Sequence, residues 1–209
     1  MSRAKFDQAA CEALAQCVQG IEKDTDAEIV IVVRARSGTY RQADYLFGSI
    51  LGFAGLLFVV FSPFNFHQYW VPVNVLALFA LGVYLAFRLD GLRRLLTTKK
   101  SRAGAVRTGA AAMFYEAGIA NTSAEMGLLI YLSLLERRLE VIADRGVLKA
   151  VPAMEWNEAI FNLHQAGRRP ELATLSSAMC ELGLLLAKHL PATGENPNEL
   201  PDLPRFELK

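Results

Sequence analysis

Three cysteines and three histidines are all that the 209 residues offer of the usual soft ligands, and neither set has a ligand spacing. Cys11, Cys17 and Cys180 form no CxxC pair. Their odd number excludes a self-contained disulfide framework and fits a reducing compartment. Each reads as a small core residue. His67, His164 and His189 are scattered, which excludes a local zinc motif. No glycine-rich phosphate loop and no nucleophile elbow occur, although a triad assembled in space stays open. An excess of charge is missing as well. Twenty-two Lys and Arg stand against 21 Asp and Glu, a formal net charge of +1, which argues against nucleic acid as the main partner. The opening Met1-Ser-Arg-Ala-Lys-Phe-Asp7 leads into an amphipathic segment rather than an apolar core, so no signal peptide is expected.

What the chain does have is two apolar runs, Leu46–Phe61 and Trp70–Phe87, without a Lys, Arg, Asp or Glu in either. A helix crosses a bilayer core with roughly 17–25 such residues. Ser62-Pro-Phe-Asn-Phe-His-Gln-Tyr69 between them carries turn residues and interfacial aromatics. The pattern predicts a transmembrane helical hairpin at residues 45–88. It interrupts a domain of soluble character built from residues 1–44 and 98–190. A buried hairpin of a soluble protein is the competing reading, disfavoured by the one-sided charge. The tail, residues 191–209, holds Glu195, Glu199, Asp202 and Glu207 and is expected to be mobile and acidic.

Basic residues flank the hairpin and are absent from its loop. Arg34, Arg36 and Arg41 precede it, and Arg88, Arg93, Arg94, Lys99, Lys100, Arg102 and Arg107 follow it. The positive-inside rule places both soluble parts, and so both termini, in the cytoplasm of a two-span inner-membrane protein. This basic collar also suits anionic lipid headgroups. Gly48 and Gly52 form a GxxxG that Gly55 extends, a small face on which helices approach closely. Its expected partner is the second span, through Ala77, Ala80 or Gly82, with a second copy or a foreign helix as the alternative.

Around the hairpin the periodicity alternates between helix and strand. Helices are expected over Ala4–Ile21, Ala103–Ala117 (closed by Gly118), Ala153–Gln165 and Glu171–His189. Leu89–Lys100 is expected to prolong the second span. Glu28–Val33 and Gly127–Leu134 read as strands buried on both faces, and Arg138–Ala143 as a third. A long crossover makes the first two parallel, and the turn at Leu135–Arg138 makes the last two antiparallel. The expected fold is therefore α/β, a small mixed sheet flanked by helices with an inserted two-helix hairpin. That topology gathers Asp24, Asp26, Glu28, Glu125 and Asp144 at the sheet edge opposite the hairpin. Oxygen-rich loops suit Ca2+ or Mg2+, with Asp26, Glu28 and Asp144 as candidate ligands. The same acids also read as turn formers and helix caps.

Several stretches together resemble the TPM domain family of small, usually membrane-anchored α/β modules. They are Asp26-Ala-Glu-Ile-Val-Ile-Val-Val33, Tyr40-Arg-Gln-Ala-Asp44, Ala117-Gly-Ile119 and the long Gly127–Val147 segment that contains Asp144-Arg-Gly146, joined by Trp156 and the last two helices. The resemblance spans roughly Ile21–Leu190, broken by the hairpin. It implies this fold, a membrane setting and an accessory role toward other membrane proteins. It also implies, through some members, calcium binding or acid phosphatase activity at acidic loops. The chain departs from the pattern by its hairpin after the first strand. It also has Ala124-Glu-Met-Gly127 where many members have Asp-Asn-Gly. Two functions follow as expectations: a membrane-bound interaction module, or a metal-dependent, phosphatase-like hydrolase with Asp144 and Glu28 holding the metal. A third, a sensor of anionic lipid through the collar, is weaker.

Overall fold

Glu28–Arg34 (β1) and Gly127–Ser133 (β2) are apolar residue after residue between their ends, over Ile29–Val33 and Leu128–Leu132, and the sheet buries both of their faces. The computed structural model describes residues 8–64, 67–122, 124–168, 170–194, 199–200 and 203–207. The chain divides into two units, one formed by Met1–Ser37 with Ala103–Lys209, the other by Gly38–Arg102.

In the first unit β1 and β2 pair in parallel from Glu28↔Gly127 to Arg34↔Ser133. Arg138–Ala143 (β3) pairs antiparallel with β2, as the short turn requires. A fourth strand, Arg205–Glu207 (β4), lies parallel to β1 and gives the order β3-β2-β1-β4. These residues belong to the tail expected to be mobile. They are held because Val32–Arg34 at the β1 edge would otherwise leave backbone groups unpaired.

Period two along the strands splits the core. Ile29, Ile31 and Val33 face the same side as Leu128, Ile130, Leu132 and Leu139. Three helices cover that side: Gln8–Glu22 (α1), Ala153–Arg168 (α7) and Leu172–His189 (α8), which contribute Leu14, Val18, Leu163, Leu175, Met179 and Leu182. Val30, Val32, Leu129 and Tyr131 face the other side, under Val106, Ala110, Met113 and Phe114 of the helix Lys99–Glu116 (α5) and under Ile119. Each large apolar side chain so buried stabilises the unit by about 1.5–3 kcal/mol against exposure. Gly118 ends α5 in the left-handed region at φ 75°, as its position suggested. A short helix follows β3, Arg145–Ala150 (α6).

The second unit contains Arg41–Phe61 (α2), Trp70–Arg88 (α3) and Asp90–Leu96 (α4). At 1.5 Å per residue the first two are about 31 and 28 Å long, against a bilayer core of about 30 Å. The second span does not run on to Lys100. Leu89 leaves the helical region (φ −107°, ψ 90°), the chain turns into α4, and α5 starts afresh at Lys99. The unit is wider than the expected hairpin 45–88, because Asp44 and α4 belong to it.

Candidate functional site

Helices α2 and α3 have mean hydropathies of 1.9 and 2.0 over their most apolar stretches, of which only 17 % and 11 % is buried. A core helix of a water-soluble fold hides its apolar face. Here Phe53, Phe58, Phe61, Trp70, Val73 and Leu76 all stand exposed. A continuous apolar surface of this kind marks contact with a membrane or a partner.

Glycines set how the two helices meet. A β-carbon on Gly48 would lie 2.9 Å from the Phe79 carbonyl oxygen, and one on Gly82 would lie 2.8 Å from the Gly48 Cα. A β-carbon on Gly52 would lie 3.3 Å from the Val75 carbonyl oxygen, and Gly55 faces Leu78. The small face of Gly48, Gly52 and Gly55 is therefore used within the hairpin, against Gly82 and its neighbours. Ala77 and Ala80, the other expected partners, are exposed.

At the base of the hairpin Asp44 binds Arg93 through two hydrogen bonds. Arg93 Nε donates to Asp44 Oδ1 at 2.7 Å, and Arg93 Nη2 to Oδ2 at 2.5 Å. Both side chains are buried, 8 % and 3 % exposed. The guanidinium carbon also lies 4.8 Å from the centre of the Phe87 ring. Donating to the Asp44 carboxylate raises the Arg93 pKa against the opposing effect of burial. The bend at Leu89 is what lets Arg93 turn back onto α2. Arg93 is thus no member of a solvated collar. Arg34 also departs from the collar, since it sits on β1 and pairs with Glu207 of β4 at 2.5 Å. Arg36, Arg41 and Arg88 are exposed and Arg94 is half-buried. Arg88 lies over the Tyr84 ring and donates to its hydroxyl at 3.2 Å.

The acidic edge is organised differently from a metal centre. Asp26 accepts from the backbone N–H of Thr193 at 3.0 Å and from its hydroxyl at 2.7 Å. Glu28 is buried and accepts from the Glu199 N–H at 3.3 Å. Asp144 Oδ1 caps α6 by accepting from the Arg145 N–H at 2.7 Å. Glu28 opens β1 and Asp144 follows the end of β3, on either side of β2, and Ile119 packs over Gly127 between them. Two strand spacings put them roughly 9–10 Å apart at the backbone. Among the described residues no three His, Cys, Asp or Glu side chains are placed to hold a metal ion. The expected ligand set of Asp26, Glu28 and Asp144 is therefore not assembled. One atom stands out: Asp144 Oδ2 is buried and has no hydrogen-bond partner among the described residues. The glycine of Asp144-Arg-Gly146 is needed for backbone contact. Its N–H donates to the Glu125 carbonyl at 2.9 Å, and a β-carbon there would come within 2.6 Å of the same oxygen.

A buried polar cluster lies at the opposite end of β1 and β2. Ser37 Oγ is 2.9 Å from Tyr131 Oη and donates to Ser133 Oγ at 2.8 Å. Ser133 donates to Glu136 Oε2, and Glu136 Oε1 accepts from the Ser37 N–H at 3.0 Å. Tyr131, Ser133 and Glu136 are almost wholly buried. Gly109 of α5 leaves room for the phenol, since a β-carbon there would lie 2.7 Å from Tyr131 Oη. No motif announces this group. Its signal in the sequence is a Ser and a Glu, Ser133 and Glu136, on either side of two leucines in an otherwise apolar run.

No family model and no curated protein matches the chain. A solved structure does: the NMR structure of the BA42 protein from the psychrophilic bacterium Bizionia argentinensis is similar, with a TM-score of 0.59 at 14 % identity over 98 % of either chain. At that identity the likeness concerns the fold alone.

Proposed function

We propose that the chain is an inner-membrane accessory protein. Its hairpin spans the bilayer twice, and its TPM-like α/β domain docks other membrane proteins at the cytoplasmic face. The observation that carries this reading is the exposed apolar surface of two helices of spanning length. Charge supports the orientation. Arg41, Arg88 and Arg94 sit at one end of the hairpin, and Ser62–Tyr69 at the other holds no Lys or Arg. A domain restricted to the membrane surface meets partners there at raised effective concentration, so weak docking suffices. The test is crosslinking in native membranes followed by mild-detergent purification and mass spectrometry. Reproducible recovery of the same membrane proteins supports the reading. Recovery of none, or release of the chain by alkaline carbonate, overturns it.

Asp144 favours a second reading, a phosphatase-like hydrolase in which Asp144 and Glu28 hold a Ca2+ or Mg2+ that activates water. The buried, unpartnered Oδ2 supports it, and the distance to Glu28 weighs against it. Asp144→Asn separates the two, because Asn caps a helix as well as Asp and so spares the fold. Under this second reading divalent ions raise the thermal stability of the wild type saturably and not that of the variant. Under the leading one they change neither.

A further inference from the structure

Helices α1 and α8 run side by side in the same direction and come close at three places. Gly183 of α8 has no side chain, and a β-carbon there would fall 2.6 Å from Ile21 Cγ1 of α1. The segments after the two helices are tied together. Thr25 donates its hydroxyl to the Leu190 carbonyl at 2.6 Å, the Asp26 N–H donates to that carbonyl at 3.1 Å, and the Ala192 N–H to the Asp24 carbonyl at 3.2 Å. One turn before Ile21 and Gly183, Cys17 and Cys180 face each other with their Sγ atoms 3.9 Å apart. Cys180 is exposed and Cys17 half-buried.

We propose that Cys17 and Cys180 form a redox-active dithiol that a small-molecule disulfide such as glutathione disulfide converts to an intramolecular disulfide. The sulfurs need to close by roughly 2 Å to reach bonding distance, within the range of side-chain rotation when two helices already approach this tightly. Exposure assigns the order of events. The Cys180 thiolate attacks one sulfur of glutathione disulfide, forms a mixed disulfide and releases a first glutathione thiolate. Cys17 then gives up its proton to solvent and attacks Cys180 Sγ, which forms the protein disulfide and expels the second glutathione. Two protein thiols are oxidised and one glutathione disulfide is reduced to two glutathiones, so the exchange balances. Burial and the neighbouring Cys180 push the Cys17 thiol up to about 11, which makes it the resolving sulfur and not the first attacker. Cys11 stays outside the pair, since its thiol points to the Pro204 carbonyl at 3.6 Å. The bond would cross-link positions 163 residues apart in sequence, with the whole apolar hairpin inside the loop.

The reduced full-length protein in detergent is incubated with glutathione disulfide, quenched with an alkylating agent and read by intact mass and peptide mapping. The expected product has lost two hydrogens, joins the Cys17 and Cys180 peptides and carries alkyl label at Cys11 alone. Glutathione should reverse it. Its melting temperature should rise by roughly 5–15 °C. Cys17→Ser should stop at a glutathione adduct on Cys180, and Cys180→Ser should leave Cys17 alkylatable. A lasting adduct on Cys180 of the wild type beside a free Cys17, a bond that includes Cys11, or no reaction would each overturn the proposal.

Discussion

Replacing Asp44 by Ala leaves the Arg93 guanidinium buried beside Phe87 without its carboxylate, which costs about 3–5 kcal/mol for a buried pair broken on one side. Thermal unfolding followed by Trp70 fluorescence in a Trp156→Phe background should show that loss. The double substitution Asp44→Ala with Arg93→Met should recover most of it, since no buried charge then remains. Glu155 gives a prediction in pH. Hydrogen bonds from Lys188 at 2.8 Å, and then from His189 at 3.1 Å, hold its pKa below the ordinary carboxylate value. A carboxyl whose folded pKa is lowered releases its proton more readily in the fold than in the unfolded chain. Its contribution is therefore complete above its ordinary value near 4.5 and lost as pH falls through the lowered one. Urea unfolding between pH 3 and 6, roughly that window, should flatten in Glu155→Gln. Neither pair was legible in the sequence. Asp44 and Arg93 lie 49 residues apart, and Arg93 reads as one cation among many.

For the helices and strands, length decided what the sequence could announce. The two central strands and both apolar helices repeat their pattern long enough to be seen, and the parallel and antiparallel pairings follow from the connections. α6 and β4 are six and three residues long, too short for any period, and β4 exists only because β1 offers an open edge. The break at Leu89 is equally silent, since Leu favours a helix and the ion pair overrides it. The acidic edge was half legible. Topology brings Asp26, Glu28 and Asp144 to one end of the sheet, but Thr193 and Glu199 take up the carboxylates of the first two, and both come from the tail. The close approach of α2 and α3 predicts a penalty at Gly82. Gly82→Leu forces a side chain against the Gly48 backbone and should cost about 1–3 kcal/mol or splay the hairpin. A spin-label distance between α2 and α3 should lengthen in the variant and stay unchanged in Ala77→Leu, which faces outward.

On the scale of the whole molecule, orientation is the quantity to fix first. In spheroplasts an impermeant maleimide should label Ser62→Cys, in a background lacking the native cysteines, without lysis. A cysteine at Ser177, exposed on α8, should react only after lysis. The reverse pattern would invert the proposed topology.

The place of the insertion also has a consequence in time. β1 is made about a hundred residues before β2, the strand it pairs with along its full length, and most of what is translated in between belongs to the apolar hairpin and the helices after it. At on the order of 5–20 residues per second, the β-branched strand waits several seconds without its partner. If the hairpin enters the bilayer as it leaves the ribosome, the membrane is engaged before the sheet exists. A nascent chain stalled once Arg102 has left the ribosome should therefore already be anchored, with Ile29–Val33 open to chaperones and proteases. Biogenesis, more than the finished fold, is where this chain is most exposed.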